Sequence, residues 1–250
     1  SDQIRNRVRR VADKNLYGID FNPFLVKVAQ MNMVMHGDGS SNIVHANSLQ
    51  NPDVWGSEAR STVPLESFDA IVANPPFGTK AVIDDKNILE QYDLHTINSS
   101  SVRESLPPEQ LFIERCLNFL KPGGIMGVVL PDSILSNPGL EWLREWLLDE
   151  ASILASIDLP VETFQPHTGT QTSVIILQKN KKNEKYKEDY SIFMAMPEMV
   201  GHDRRGNPVF VKTPSGDVKV DPDGQPIIDD DLPAVSEKFK QWAEEKGVVQ

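Results

Sequence analysis

Short β-rich runs alternate with helix-patterned segments through most of the first 180 residues, and that alternation confines the chain to a doubly wound α/β domain. Residues 16–20 read as a strand ending in an acid. Residues 23–36 read as a helix, with Asn22 as N-cap, Pro23 in the first turn and Gly37 as its stop. Residues 43–46 form a second strand, and 68–73 (FDAIVA) a third that is apolar enough to be buried on both faces. A helix over 107–120, closed by Lys121-Pro122-Gly123-Gly124, precedes a strand at 125–130. A helix at 139–149 with Trp142 and Trp146 follows, then strands at 153–159 and 172–178. The first twelve residues place Ile4, Val8 and Val11 on one stripe among four arginines, which predicts a surface helix. No internal repeat is apparent.

The character changes after Lys179, so the chain divides into an α/β domain over 1–180 and an appendage over 181–250. Turn signals at Gly206-Asn207-Pro208, Ser215-Gly216-Asp217 and Asp223-Gly224 separate short alternating runs, which predicts hairpins, and residues 233–246 read as a last helix. No apolar run approaches the ~20 residues that cross a bilayer, and residues 1–5 hold no signal-peptide core, so the cytoplasm is the expected compartment. The one cysteine, Cys116, lies in an apolar helical pattern with Phe112, Phe119 and Leu120, which predicts a buried thiol rather than a nucleophile. With 25 basic and 36 acidic residues the net charge is −11, so any action on nucleic acid needs local geometry or a partner for grip.

The residues that carry chemistry are Asn74-Pro75-Pro76-Phe77, directly at the C-terminal end of the apolar strand, the edge where open parallel sheets bind ligands. An exocyclic amino group is a weak nucleophile because its lone pair is delocalised into the ring. An Asn side-chain oxygen and the next residue's carbonyl, both acceptors, can hold the two N–H bonds out of plane and localise that lone pair. Pro75 and Pro76 stiffen the backbone so that both acceptors are placed in advance. Phe77 offers a flat face to a base swung out of the stack. The motif therefore predicts methyl transfer to an amino group.

On these residues the chain resembles the amino-methylating DNA methyltransferases, and most closely the modification subunit of type I restriction-modification systems, over residues 14–180. The resemblance implies a Rossmann-like class I fold that uses S-adenosylmethionine to methylate adenine N6, together with DNA, a specificity subunit and a restriction subunit as partners. Gly18-Ile19-Asp20-Phe21-Asn22-Pro23 matches the family's second-strand motif, which gives Asp20 the ribose hydroxyls and Phe21 a place on the cofactor's adenine. Residues 29–37 (AQMNMVMHG) are similar to the helix that follows in type I subunits. Where the family carries Gly-Asp-Ser/Thr-Leu, this chain has Ala46-Asn47-Ser48-Leu49; the Asn47 amide oxygen can accept the same hydrogen bond from the adenine amino group, with Ser48 beside it. Asn74 also belongs to the cofactor side of the family's site. Lys121-Pro122-Gly123-Gly124 with Val128-Val129-Leu130-Pro131 resembles a structural strand, and Phe164-Gln165-Pro166 resembles the segment whose aromatic stacks on the flipped adenine.

The family cradles the cofactor's methionine end in a glycine-rich turn after the first strand. Here Gly37-Asp38-Gly39 follows a helix and Gly123-Gly124 precedes a strand. With nineteen residues before Asp20 and Ser1 at the start, the expectation is a fragment without the first strand, one that is inactive alone. Residues 78–106 are long, polar and poor in apolar periodicity, so a lid and a disordered loop are equally expected. The five histidines, at 36, 45, 95, 167 and 202, show no metal-ligand spacing, so no metal is expected. Two alternatives stand beside the leading one. The same amino chemistry can serve RNA, cytosine N4 or a protein glutamine, and the fold can survive as a noncatalytic assembly module.

Overall fold

Asn22 starts a helix as its position predicts: its side-chain oxygen accepts the Phe24 N–H at 2.9 Å, and Pro23 occupies the first turn, where a missing N–H is no loss. A computed structural model describes residues 2–36, 42–77, 82–97, 102–181 and 189–248. These fall into two units, residues 1–69 with 78–122 and residues 70–77 with 123–250. The compositional break near 180 lies inside the second. In chain order the first unit contains α1 (Asp2–Asn15), β1 (Gly18–Asp20), α2 (Pro23–Met35), β2 (Ile43–His45) and α3 (Ser57–Thr62). Strand β3 (Phe68–Ala73) carries the chain into the second unit, and α4 (Lys86–Leu89) and α5 (Pro108–Phe119) belong to the first. β4 (Leu120–Pro131) begins in the first and continues into the second, followed there by α6 (Ser133–Ser136), α7 (Glu141–Glu150), β5 (Ala151–Leu159), β6 (Thr172–Lys179), β7 (Phe193–Ala195) and α8 (Leu232–Lys246).

The described strands form two sheets. β1 and β2 pair in parallel from Gly18↔Ile43 to Asp20↔His45. Gly18 lets β2 pack closely: a Cβ on it would lie 2.8 Å from the Ile43 Cδ1, the far end of a side chain that can turn aside. The second sheet runs β3-β4-β6-β5-β7, with β6 antiparallel to both β4 and β5 and β7 parallel to β5. Alternation along β4 buries Met126, Val128 and Leu130, and β6 adds Ile175 and Leu177. Leu143 of α7 and Ile134 of α6 complete this core. One expectation is corrected here. β3 is not buried on both faces: Val72 is 91% exposed and Ala70 is also exposed. The reason is position, since β3 ends the order of its sheet and only β4 flanks it among the described residues.

The segment after the Asn-Pro-Pro-Phe motif is folded where it is described. Residues 82–97 contain α4 and a 3₁₀ turn, Asp93–His95, and bury Ile88, Leu89, Tyr92 and Leu94 against the first unit's core. Residues 78–81 and 98–101, the glycine stop at Gly37, and residues 182–188 lie outside the described residues.

The appendage contains the expected turns and also a repeat that the sequence does not disclose. The N–H groups of Asp203, Thr213 and Asp221 donate to the carbonyls of Asn207, Asp217 and Gln225 at 2.9, 2.8 and 2.9 Å. In each turn a glycine with φ of +81° to +92° (Gly206, Gly216, Gly224) donates back to the first residue's carbonyl. Glycine is the one residue type common to all three turns, and their unequal spacing hides the pattern from a sequence comparison. Past them, α8 packs Phe239 and Trp242 on Phe193 of β7, with ring centroids 5.5 and 5.9 Å apart.

Candidate functional site

In the second unit, the chain leaves β3 through Asn74, which is exposed, Pro75, which is buried, Pro76, exposed, and Phe77, half-buried. Two consecutive prolines fix φ over the turn, so a buried ring anchors the backbone while the Asn74 amide faces outward. The Phe77 ring meets Phe164 edge to face, with centroids 6.2 Å apart and planes at 75°. Phe164 closes a single 3₁₀ turn, Val161–Phe164, directly after β5, and its carbonyl accepts the N–H groups of His167 and Thr168. It is half-buried rather than a core phenylalanine. The loop is drawn together by Gln171, whose Nε2 donates to the Leu159 carbonyl at 2.5 Å and to Asp158 at 2.9 Å. The first turn of the appendage touches the same loop. Arg204 Nε donates to Glu162 Oε1 at 3.0 Å, and that guanidinium, with the backbone around it, holds the Glu162 carboxyl below its ordinary value. A Cβ on Gly206 would lie 3.7 Å from the Pro166 Cδ.

In the first unit, the parallel pairing of β1 and β2 brings the ends of both strands to one edge, tied by the Ala46 N–H on the Asp20 carbonyl at 3.1 Å. Asp20 Oδ1 accepts the Asn22 N–H at 2.6 Å. The Phe21 ring is 69% exposed, and the Phe21 carbonyl accepts His45 Nε2 at 2.8 Å. Asn47 heads a tight turn: its side-chain oxygen accepts the Leu49 N–H at 3.1 Å, and its carbonyl accepts the N–H of Gln50 and the Trp55 indole N–H at 3.0 and 2.9 Å. Ser48 is half-buried within that turn. The structure thus groups Asp20, Phe21, Asn47 and Ser48 in one unit and Asn74, Pro75, Pro76, Phe77 and Phe164 in the other.

Sequence reasoning passed over a buried polar cluster on α5 and the segment packed against it. Arg115 is 3% exposed; its Nε donates to Tyr92 Oη at 3.0 Å, and its Nη2 donates to Gln91 Oε1 at 2.5 Å and to the Gln50 carbonyl at 3.2 Å. Beside it Glu114 accepts the N–H groups of Asp93 and Leu94 at 2.8 and 3.1 Å. Burial pushes the Glu114 carboxyl up to about 7, against those two donors, and pushes the Cys116 thiol up to about 12, which makes it inert as a nucleophile. The one available signal was the pair Glu114-Arg115 set between the apolar residues Leu111-Phe112-Ile113 and Cys116-Leu117.

Comparison with known proteins gives the family and the fold class. The family described as N-6 DNA Methylase matches residues 1–247, and the chain belongs to that family. The MjaVII type I restriction enzyme methylase subunit of Methanocaldococcus jannaschii is 30% identical over 177 residues, which cover 68% of this chain and 28% of that protein. This chain spans under a third of the length of the first curated relatives it matches. Among solved structures, the type I restriction-modification methyltransferase subunit of Streptococcus thermophilus superposes with a TM-score of 0.60 at 22% identity, covering 94% of this chain and 44% of that one. A Listeria monocytogenes protein described as a class I S-adenosylmethionine-dependent methyltransferase gives a TM-score of 0.57 at 18% identity, over 78% of this chain and 54% of that one. The fold is therefore the Rossmann-like class I methyltransferase fold. No helix among the described residues is long and apolar enough to cross a membrane.

Proposed function

We propose that this chain is part of an adenine-N6 DNA methyltransferase, the modification subunit of a type I restriction-modification system, acting in the cytoplasm with a specificity and a restriction subunit. The observation that carries the reading is the Asn74-Pro75-Pro76-Phe77 turn at the end of β3, with the Phe77 ring edge-on to Phe164. Membership of the N-6 DNA methylase family supports it. The net charge of −11 supports dependence on a DNA-recognising partner.

The donor set in the first unit fits S-adenosylmethionine. Asp20 offers a carboxylate for the ribose hydroxyls, the exposed Phe21 ring a flat face for the adenine, and Asn47, with Ser48 in the same turn, an amide oxygen for the adenine amino group. When bound, the cofactor supplies a methyl group activated on a sulfonium. The rest of the chemistry belongs to this chain. The Asn74 side-chain oxygen and the Pro75 carbonyl accept the two N–H bonds of adenine N6, which localises the lone pair on nitrogen and makes that nitrogen the nucleophile. Phe77 and Phe164 hold the extruded base by aromatic contact, replacing the stacking it loses on leaving the duplex.

The test is methyl transfer by the intact protein with its specificity partner, using a labelled methyl donor and duplex DNA, followed by mass spectrometry of the nucleosides. N6-methyladenine is expected. Label in N4-methylcytosine, in RNA or in a protein glutamine, or no transfer at all, would overturn the assignment.

A further inference from the structure

The buried Arg115 is a charge held by neutral groups. Its hydrogen-bond acceptors among the described residues are Tyr92 Oη, Gln91 Oε1 and the carbonyls of Gln50 and, at 3.4 Å, Leu49. Its guanidinium also lies 4.9 Å from the centre of the Tyr92 ring. A guanidinium in the interior retains its charge, so each of these acceptors is needed where it is. The Leu49 carbonyl is held from three sides: it also accepts the Tyr92 hydroxyl at 2.9 Å and Gln91 Nε2 at 2.8 Å. The backbone at 49–50 is therefore clamped by groups from two distant segments, α5 and residues 91–92. The next link is Asn47, whose side-chain oxygen accepts the Leu49 N–H and whose carbonyl accepts the Trp55 indole N–H. A shift at Leu49 would be passed to Asn47 through that short turn.

We propose that Arg115, acting with Tyr92 and Gln91, is a positioning residue for the adenine end of the cofactor site: it fixes the backbone at 49–50 and so determines where Asn47 and Ser48 are held. This rests on the assignment of the Asn47 turn to the cofactor. It gives the segment after the Asn-Pro-Pro-Phe motif a task, since Gln91 and Tyr92 make half of the clamp. It also explains why Arg115, one of three buried charged residues of α5, stands where it does. Lysine at 115 would keep the charge and lose the planar fork that reaches Tyr92, Gln91 and the carbonyls together.

Two variants of the intact protein test this, Tyr92→Phe, which removes the hydroxyl and keeps the ring, and Arg115→Lys. Binding of adenosine and of S-adenosylhomocysteine is measured by calorimetry, KM for the methyl donor and kcat by methyl transfer, and the turn itself by ¹⁹F resonances of fluorotryptophan. Trp55 is assigned through Trp55→Phe, and Trp142, Trp146 and Trp242, each assigned by its own Trp→Phe variant, serve as internal controls. The expected result is affinity for both ligands weaker by roughly fivefold in Tyr92→Phe and roughly thirtyfold in Arg115→Lys. KM should rise in proportion with kcat within about threefold, and the Trp55 resonance should move while the other three stay. An unmoved Trp55 resonance with unchanged affinity overturns the positioning role. A moved Trp55 resonance with unchanged affinity also does so, because it separates the turn from the cofactor. Shifts of all four resonances in both variants would make Arg115 a general structural residue and overturn it as well. If the unsubstituted protein binds neither ligand, the cofactor assignment itself fails, and the positioning role falls with it.

Discussion

The turn at Asn47 and the turn at Asn74 both follow the C-terminal end of a strand, and they are held by opposite means. At 74–77 the restraint is local: two prolines fix the backbone, and Pro75 is buried while its neighbours are exposed. At 47–50 the restraint is remote: the carbonyls are fixed by side chains 42 to 66 positions further along the chain, from Gln91 to Arg115. A locally restrained turn keeps its shape when its surroundings loosen. A remotely clamped one holds only while the core around α5 holds.

The largest expected effect tests the local side. Asn74→Ala removes one of the two acceptors without disturbing the prolines, and the side chain is exposed, so folding should be unaffected. By analogy with the loss of a preorganised oxyanion-hole donor, methyl transfer should fall by roughly 10²- to 10³-fold. Activity within threefold of the unsubstituted protein would remove Asn74 from the reaction.

The remote side should show itself through pH. Burial raises the folded-state value of Glu114 from 4.5 to about 7, so the folded protein holds this proton more tightly than the unfolded chain does. Between those values the unfolded chain has released the proton and the folded one has kept it. The contribution of Glu114 to stability therefore falls as pH rises from about 4.5 to 7 and is flat on either side. The full change is on the order of 3 kcal/mol. Glu114→Gln, neutral at every pH, should lack this component. Urea unfolding at pH 5 and pH 8 measures it as the difference between the two proteins, and a difference that does not change with pH would show that Glu114 titrates normally.

Legibility in the sequence followed the same division. The strand at 68–73, the motif after it, the N-cap at Asn22 and the aromatic after β5 depend on residues within a few positions of one another, and all could be read directly. What could not be read depends on distant chain. The apolar composition of FDAIVA implied burial on both faces, yet Val72 is exposed because strand order, and not composition, decides what flanks β3. The clamp on Leu49 needed the fold of α5 and residues 91–92. Asp20 and Asn47 were legible as candidates for holding a cofactor, while their shared edge became visible only through the parallel pairing of β1 and β2. The three turns of the appendage were legible from their glycines, whereas the reversed direction of β6 is a property of pairing rather than of residue type.

A smaller effect is expected from the aromatic pair. Phe164→Ala should weaken base capture by about 1 to 3 kcal/mol, the usual range for a lost stacking partner. Because Phe164 is half-buried in a short 3₁₀ turn, the variant should fold. A duplex whose target base is mismatched, and so already easy to extrude, should recover part of the lost methylation. Equal losses on matched and mismatched duplexes would show that Phe164 serves the loop and not the base.

The smallest effect concerns the tie between the appendage and that loop. Arg204 is largely exposed and Glu162 partly so, and exposed ion pairs contribute little, so Arg204→Glu alone should lower methylation only on the order of twofold. The value of the experiment lies in the reciprocal change. If Arg204 acts by holding the Glu162–Phe164 turn, Glu162→Arg combined with Arg204→Glu restores the pair with its charges exchanged and should return activity toward that of the unsubstituted protein. If Arg204 acts instead as a positive charge near the DNA, the exchanged pair moves that charge onto the loop and no recovery tied to the pairing is expected; the salt dependence of binding would then follow the position of the arginine. A double variant no better than the worse single variant, with the salt slope altered, would detach the appendage from Phe164. It would also place the second unit's restraint entirely in the prolines and rings around Asn74.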